Sequence, residues 1–147
     1  MKISTKARYG SRAMIDLALA YPDRAIPVKE LALNERVSVK YLEQIMAALK
    51  AAGLAKAARG VRGGYALARP PASIKLTDVF KALEGSPELV ECLDHPELCP
   101  LQRGCPTRPT WLQMREAMLA VLDGTTLQDL AERKKLKAGS AGEMYNI

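Results

Sequence analysis

Cys92, Cys99 and Cys105 are the only thiols in this 147-residue chain, separated by six and then five residues. Exposed thiols oxidise and capture metals, so three confined to one short stretch point to a common task. The stretch from Glu91 to Pro106 also contains Pro96, Pro100, Pro106 and Gly104. Prolines at that density rule out a regular helix or an inner strand. The segment reads as an irregular loop able to wrap thiolates around a metal centre. The single histidine, His95, lies inside it.

The rest of the chain must position that loop. With 48% hydrophobic residues, the chain has enough apolar material for one domain, or for a small domain with an appended helical unit. No signal peptide is expected: Lys2, Lys6, Arg8 and Arg12 precede the apolar run Ala13–Ala20, which Asp16 interrupts and which is too short for a membrane span. An odd cysteine count without a leader argues against a disulfide scaffold, so a cytoplasmic protein with reduced or metal-bound thiols is expected. No Ser-His-Asp set and no metalloprotease motif is present, which argues against an enzyme. Charge is uneven: residues 1–69 hold 13 Lys and Arg against 5 Asp and Glu, and residues 70–147 hold 9 against 11. A basic first half favours a polyanionic partner, so it reads as a nucleic-acid-binding part and the second half as a sensing or assembly part.

Periodicity divides the chain further. Ser4 is a candidate N-cap for a first helix that runs to about Ala20 and ends at Pro22-Asp23, with Tyr9, Ala13, Leu17 and Ala20 on one stripe. A short helix follows Pro27, and Asn34 to Val37 form a turn. Ser38 caps a third helix whose Leu42, Ile45, Met46 and Leu49 face a core, with Gly53 as its stop. Its opposite face carries Lys40, Tyr41, Glu43, Gln44, Ala47 and Lys50. Two such helices match a helix-turn-helix. Segments 54–58 and 65–69 flank Arg59-Gly60-Val61-Arg62-Gly63-Gly64, a basic hairpin placed like the wing of a winged helix. No Lys-Ser or Lys-Thr follows these glycines, so a nucleotide-binding loop is a poor reading. Pro70-Pro71 marks a boundary. A further helix carries Leu76, Val79, Phe80 and Leu83 and stops at Gly85-Ser86-Pro87. Beyond the cysteines, a helix from about Pro109 to Asp123 has an apolar arc too broad for one packed face, which suits a homodimer seam. Thr126 with Asp129, or Thr125 with Gln128, can cap a last short helix, and the tail from Arg133 is expected to be mobile. The expected organisation is a DNA-binding domain over 1–70, a cysteine-loop and dimerisation region over 71–132, and a tail over 133–147. The fold class is mainly α with a small β wing.

Four segments together resemble the iron–sulfur cluster regulator (IscR) group of dimeric bacterial winged-helix repressors. They are Lys2-Ile3-Ser4-Thr5-Lys6-Ala7-Arg8-Tyr9, Ser38 to Ile45, Arg59 to Leu67, and the three-cysteine loop. The resemblance implies a transcription factor that binds palindromic double-stranded DNA as a homodimer, with DNA affinity set by an iron–sulfur cluster held by Cys92, Cys99 and Cys105. Whether that cluster has two irons or four stays open. By position, Ser38, Lys40, Tyr41, Glu43 and Gln44 form the reading face, and Arg59 is the groove-directed arginine. Glu43 would accept a hydrogen bond from a cytosine amino group, giving discrimination rather than affinity, unless it only pairs with a helix lysine. Lys6, Lys56, Arg8 and Arg62 suit phosphates or solvent.

The chain departs from the family at the fourth ligand. Some members place a histidine three residues after the last cysteine, where this chain has Arg108. Others recruit an acidic residue from the partner's first helix, where Arg8 and Arg12 stand here. His95 is the candidate within the loop, with Glu91, Asp94, Glu97 or an exogenous small ligand as alternatives. Thiolates are soft donors that suit iron–sulfur clusters. The competing expectations are a zinc site, whose ligand pairs usually stand closer, a metal-free thiol redox sensor, and a small iron–sulfur electron carrier.

Overall fold

The computed structural model describes residues 3–85 and 89–143. Ser4 caps α1 (Thr5–Ala20) by accepting the Ala7 N–H at 3.1 Å. The helix buries Ala7, Gly10, Ala13, Met14, Leu17 and Ala18. Gly10 is a contact point: a Cβ there would stand 2.3 Å from Leu83, so α1 crosses the fourth helix with no room for a side chain. Pro27 leads into α2 (Val28–Glu35). The turn that follows places Arg36 in the left-handed region at φ 55°, where its N–H closes on the carbonyls of Ala32 and Leu33. Ser38 then caps α3 (Val39–Ala51), accepting the Tyr41 N–H at 3.2 Å. Leu42, Ile45, Met46 and Leu49 are all 0% exposed, and Gly53 ends the helix at φ +72°.

The expected hairpin is β1 (Ala55–Ala58) against β2 (Gly64–Leu67), antiparallel with Ala55 opposite Leu67 and Ala58 opposite Gly64. It is anchored at a third point that periodicity does not reveal. Ile26, in the α1–α2 connection, exchanges two 2.8 Å backbone hydrogen bonds with Tyr65. That bridge explains Gly64, where any Cβ would lie 2.2 Å from the Ile26 carbonyl oxygen.

The core does not respect the boundary expected at Pro70-Pro71. A single apolar cluster joins α1, α2, α3 and the hairpin to Ile74, to Val79 and Leu83 of α4 (Leu76–Glu84), and to Leu127 and Ala131 of α7 (Leu127–Glu143). The two prolines only turn the chain through a short 3-10 segment, and Pro71 is itself buried. α4 ends at Gly85, while Ser86 and Pro87, assigned to the same stop, lie outside the described residues.

Chain departure and return are stitched at one place. Lys75 bridges Thr126, the Leu76 N–H donates to the Thr125 carbonyl, and the Leu127 N–H donates to the Ile74 carbonyl. Between them lie α4, the cysteine loop and α6 (Arg108–Asp123), with α4 and α6 in contact. Thr126 and Asp129 form the expected cap for α7: the Asp129 carboxylate accepts the Thr126 N–H at 2.8 Å and the Thr126 hydroxyl accepts the Asp129 N–H at 3.2 Å. The last helix is not short, however. The segment expected to be a mobile tail continues α7 to Glu143, because Lys, Ala and Leu are good helix formers and α7 packs on α1. Residues 144–147 of that tail lie outside the described residues.

Candidate nucleic-acid interface and cysteine loop

Since α3 spends its apolar face entirely on the core, its other face is free. Ser38, Lys40, Glu43 and Gln44 are exposed and Tyr41 is half-buried. The Ser38 oxygen already accepts a backbone N–H, which leaves its hydroxyl hydrogen to donate outward. Glu43 makes no ion pair with Lys40 or Lys50, so its carboxylate is available as an acceptor. Arg59 and Arg62 are exposed on the wing turn, where the Gly63 N–H closes on the Gly60 carbonyl at 2.9 Å. Val61 is fully exposed at the tip. Lys6, on the first turn of α1, is half-exposed. One exposed helix face and one basic hairpin thus form a surface with donors, an acceptor and cations.

A support for this face escapes a reading by periodicity, which places Tyr9 on the core stripe. The Tyr9 ring meets Tyr41 edge to face at 6.2 Å between centroids, and the Arg12 guanidinium lies 5.0 Å from the Tyr9 centroid. Arg12 Nε donates to Glu35, a carboxylate whose side chain is only 5% exposed. A buried carboxylate with a paired arginine is costly to disrupt. The sequence signal was a carboxylate where helical spacing calls for an apolar residue. Asp16 gives the same signal: it is buried, accepts a 2.9 Å bond from Asn34 and pairs with Lys134 of α7.

The cysteine loop is assembled from single turns. Cys92 lies in α5 (Glu91–Asp94), Cys99 follows the 3-10 turn Pro96–Leu98, and Cys105 follows the 3-10 turn Gln102–Gly104. All three are free thiols, half-buried. The Thr107 hydroxyl, 3.2 Å away, and then the backbone N–H groups of Thr107 and Arg108 hold the Cys105 thiol below its ordinary value. Arg108 donates to the Cys92 carbonyl and Arg115 pairs with Asp94 at 2.7 Å, so α6 holds the first turn of the loop.

Three free thiols in a loop of short turns fit an iron–sulfur group in donor chemistry. Among the described residues, however, no three Cys, His, Asp or Glu side chains are gathered as a metal would require. His95 is exposed and contacts Glu97 at 3.2 Å instead of a thiol. Arg108 and Asp94, at and near the positions considered for a fourth ligand, are already engaged with the loop and with Arg115. α6 has no buried residue within the protomer, and Met114 and Val121 are 47% and 68% exposed. Among the described residues no helix is long and apolar enough to cross a membrane.

Comparison with known proteins agrees with this geometry. Residues 3–133 match the family model Rrf2, described as an iron-dependent transcriptional regulator. The chain is 42% identical over 131 residues to the HTH-type transcriptional regulator CymR of Bacillus subtilis, covering 89% of this chain and 90% of that protein. It is 32% identical over 130 residues to the regulator IscR of Aliivibrio salmonicida, covering 88% and 77%. The solved structure of CymR, titled the global cysteine regulator of B. subtilis, superposes with a TM-score of 0.73 at 38% identity over 90% of this chain and 98% of that one. IscR of T. potens gives 0.75 at 36% identity over 91% and 88%. These relatives are regulators and not enzymes. The winged helix-turn-helix, the cysteine-bearing arm and these likenesses place the chain in the Rrf2 family of transcriptional regulators.

Proposed function

We propose that this regulator binds palindromic operator DNA as a homodimer, mainly as a repressor, and that Cys92, Cys99 and Cys105 hold an iron–sulfur cluster whose presence sets operator affinity. The observation that carries this reading is that all three thiols are free and sit on the loop leading into α6, the helix with no buried residue. Pairing α6 with its counterpart in a second copy covers Met114 and Val121 and spaces two α3 helices for two half-sites. Lys6 and Arg62 supply phosphate contacts, Arg59 enters a groove, and Ser38, Lys40, Tyr41, Glu43 and Gln44 form the face that reads base edges.

When bound, a cluster held by Cys92, Cys99 and Cys105 would supply a redox-sensitive and labile iron centre. The chain's own contribution is a loop of short turns that carries the three free thiols and would close around the cluster. The Thr107 hydroxyl and the backbone N–H groups at the start of α6 hold the Cys105 thiol below its ordinary value, which favours its anionic form. Drawing Cys92 toward it moves the carbonyl that Arg108 holds, so loop order is linked to α6 and through it to the spacing of the reading helices. His95 becomes a fourth ligand only by leaving Glu97.

A metal-free thiol sensor is the second reading, supported by the three free thiols and by the likeness to CymR. In this reading two thiols of this chain give up two electrons and two protons to hydrogen peroxide, forming one disulfide and two waters. Ultraviolet–visible absorption of anaerobically purified protein separates the readings. Brown protein whose operator affinity changes on loss of colour, and whose Cys92, Cys99, Cys105 triple alanine variant no longer responds, supports the cluster. Colourless protein that responds only to peroxide supports the thiol sensor, and colourless protein with stoichiometric zinc supports a structural zinc site.

A further inference from the structure

The groove between α1 and α7 measures about 410 Å³ and is lined by Arg12, Ile15, Leu130, Arg133, Lys134 and Lys137. Four cations and two apolar side chains meet there without a carboxylate. Three other surface grooves differ in this respect: the one beside the wing carries Asp23 and Glu30, the one beside Arg69 carries Asp78, and another carries Asp16 and Glu30. Two of the four cations are engaged from beneath, Arg12 by Glu35 and Lys134 by Asp16. Arg133 and Lys137 are exposed and make no ion pair among the described residues. They stand four residues apart on one helix face, where like charges repel. Leu130 and Ile15, both half-buried, give the groove an apolar floor.

We propose that this groove is a binding site for a small organic anion, a carboxylate or phosphate on a short apolar body, and that its occupancy weakens operator binding through Arg12. The cations neutralise the head group while the floor receives the body. A bare phosphate backbone would use the cations but gain nothing from Ile15 and Leu130. Arg12 joins the groove to the reading face because its planar fork has five donors, and only Nε is spent on Glu35. The same guanidinium supports Tyr9, which in turn packs against Tyr41 on the first turn of α3. An anion that draws the guanidinium into the groove removes that support, and by linkage operator DNA disfavours the anion to the same degree. The site stands on the groove itself, whereas its effect on DNA rests on the operator-binding reading given above.

The test titrates the full chain, without DNA, with linear carboxylates from butanoate to octanoate and separately with inorganic phosphate, following Arg12 Nε–H and backbone amides by NMR. Octanoate is expected to saturate with shifts at Arg12, Arg133 and Lys137, and each added methylene that reaches the floor tightens binding about fourfold. An Arg133→Gln, Lys137→Gln double variant keeps its melting temperature and loses about tenfold in octanoate affinity. Phosphate binding as tightly as octanoate, or no saturable shifts at these residues, overturns the site. Operator titrations then follow. Saturating octanoate is expected to cost the parent protein about tenfold in operator affinity, and the double variant much less. Octanoate that binds the groove and leaves operator affinity unchanged overturns the coupling. Failure of the ligand-free protein to bind any operator overturns the DNA reading and leaves the octanoate result standing.

Discussion

At the scale of single residues, function and folding make different demands on neighbouring positions. Glu43 is exposed, without an ion pair among the described residues, and on the free face of α3, so it contributes nothing evident to the fold. Glu43→Ala is expected to leave thermal stability unchanged and to relax preference at one base-pair position by about 1–3 kcal/mol, as read from a panel of singly substituted operators. An unchanged preference profile would remove Glu43 from the reading set. Gly64 is the reverse case, with no side chain to offer a ligand and fixed by space. The Cβ of Gly64→Ala would press into the Ile26 carbonyl at 2.2 Å, so the hairpin must move or the Ile26–Tyr65 bridge must break. The expected cost is about 1–3 kcal/mol in urea unfolding. Operator affinity should fall further than that loss of folded protein explains, because the displaced hairpin carries Arg59.

At the scale of elements, local signals were legible and long-range ones were not. Ser4, Ser38 and the Thr126–Asp129 pair announce their helices because a cap is written within four residues. The third anchor of the wing was hidden because Ile26 and Tyr65 are distant in sequence and neither belongs to a repeating pattern. The extent of α7 was hidden because a Lys- and Ala-rich segment reads equally as a solvated tail until α1 is found against it. The cysteine loop was legible in composition only: three thiols and three prolines declare an irregular loop of short turns, but spacing does not say whether the thiols converge. Two elements give clean tests. Arg36 holds the helix-turn-helix corner in the left-handed region at φ 55°, where a side chain is disfavoured. Arg36→Gly is expected to stabilise the protein by about 0.5–1 kcal/mol in chemical denaturation. The Asp129 carboxylate is held below its ordinary value by the Thr126 hydroxyl first, then its backbone N–H. A depressed folded-state value stabilises the protein above the carboxyl's unfolded-state value, and the contribution disappears as pH falls through the folded-state value. Stability measured from neutral pH into acid should therefore fall less steeply in Asp129→Asn than in the parent.

At the scale of the whole molecule, one core holds the winged helix-turn-helix, α4 and the start of α7, while the cysteine loop and α6 project from it. The absence of any buried residue on α6 makes assembly the test of this plan. A Met114→Glu, Val121→Glu double variant is expected to sediment as a monomer where the parent sediments as a dimer, with the melting transition of the winged core retained. Persistence of the parent's sedimentation in the variant would move the dimer seam elsewhere. The single stitch at Lys75 and Thr126 has a wider consequence. Because the chain goes out and comes back beside that bridge, with α4 in the core and packed on α6, residues gained or lost in the cysteine loop leave the register of the bridge intact. The spacing of the cysteines can drift by a residue without touching that bridge. The arm is thus free to be retuned toward new signals while the reading head stays the same.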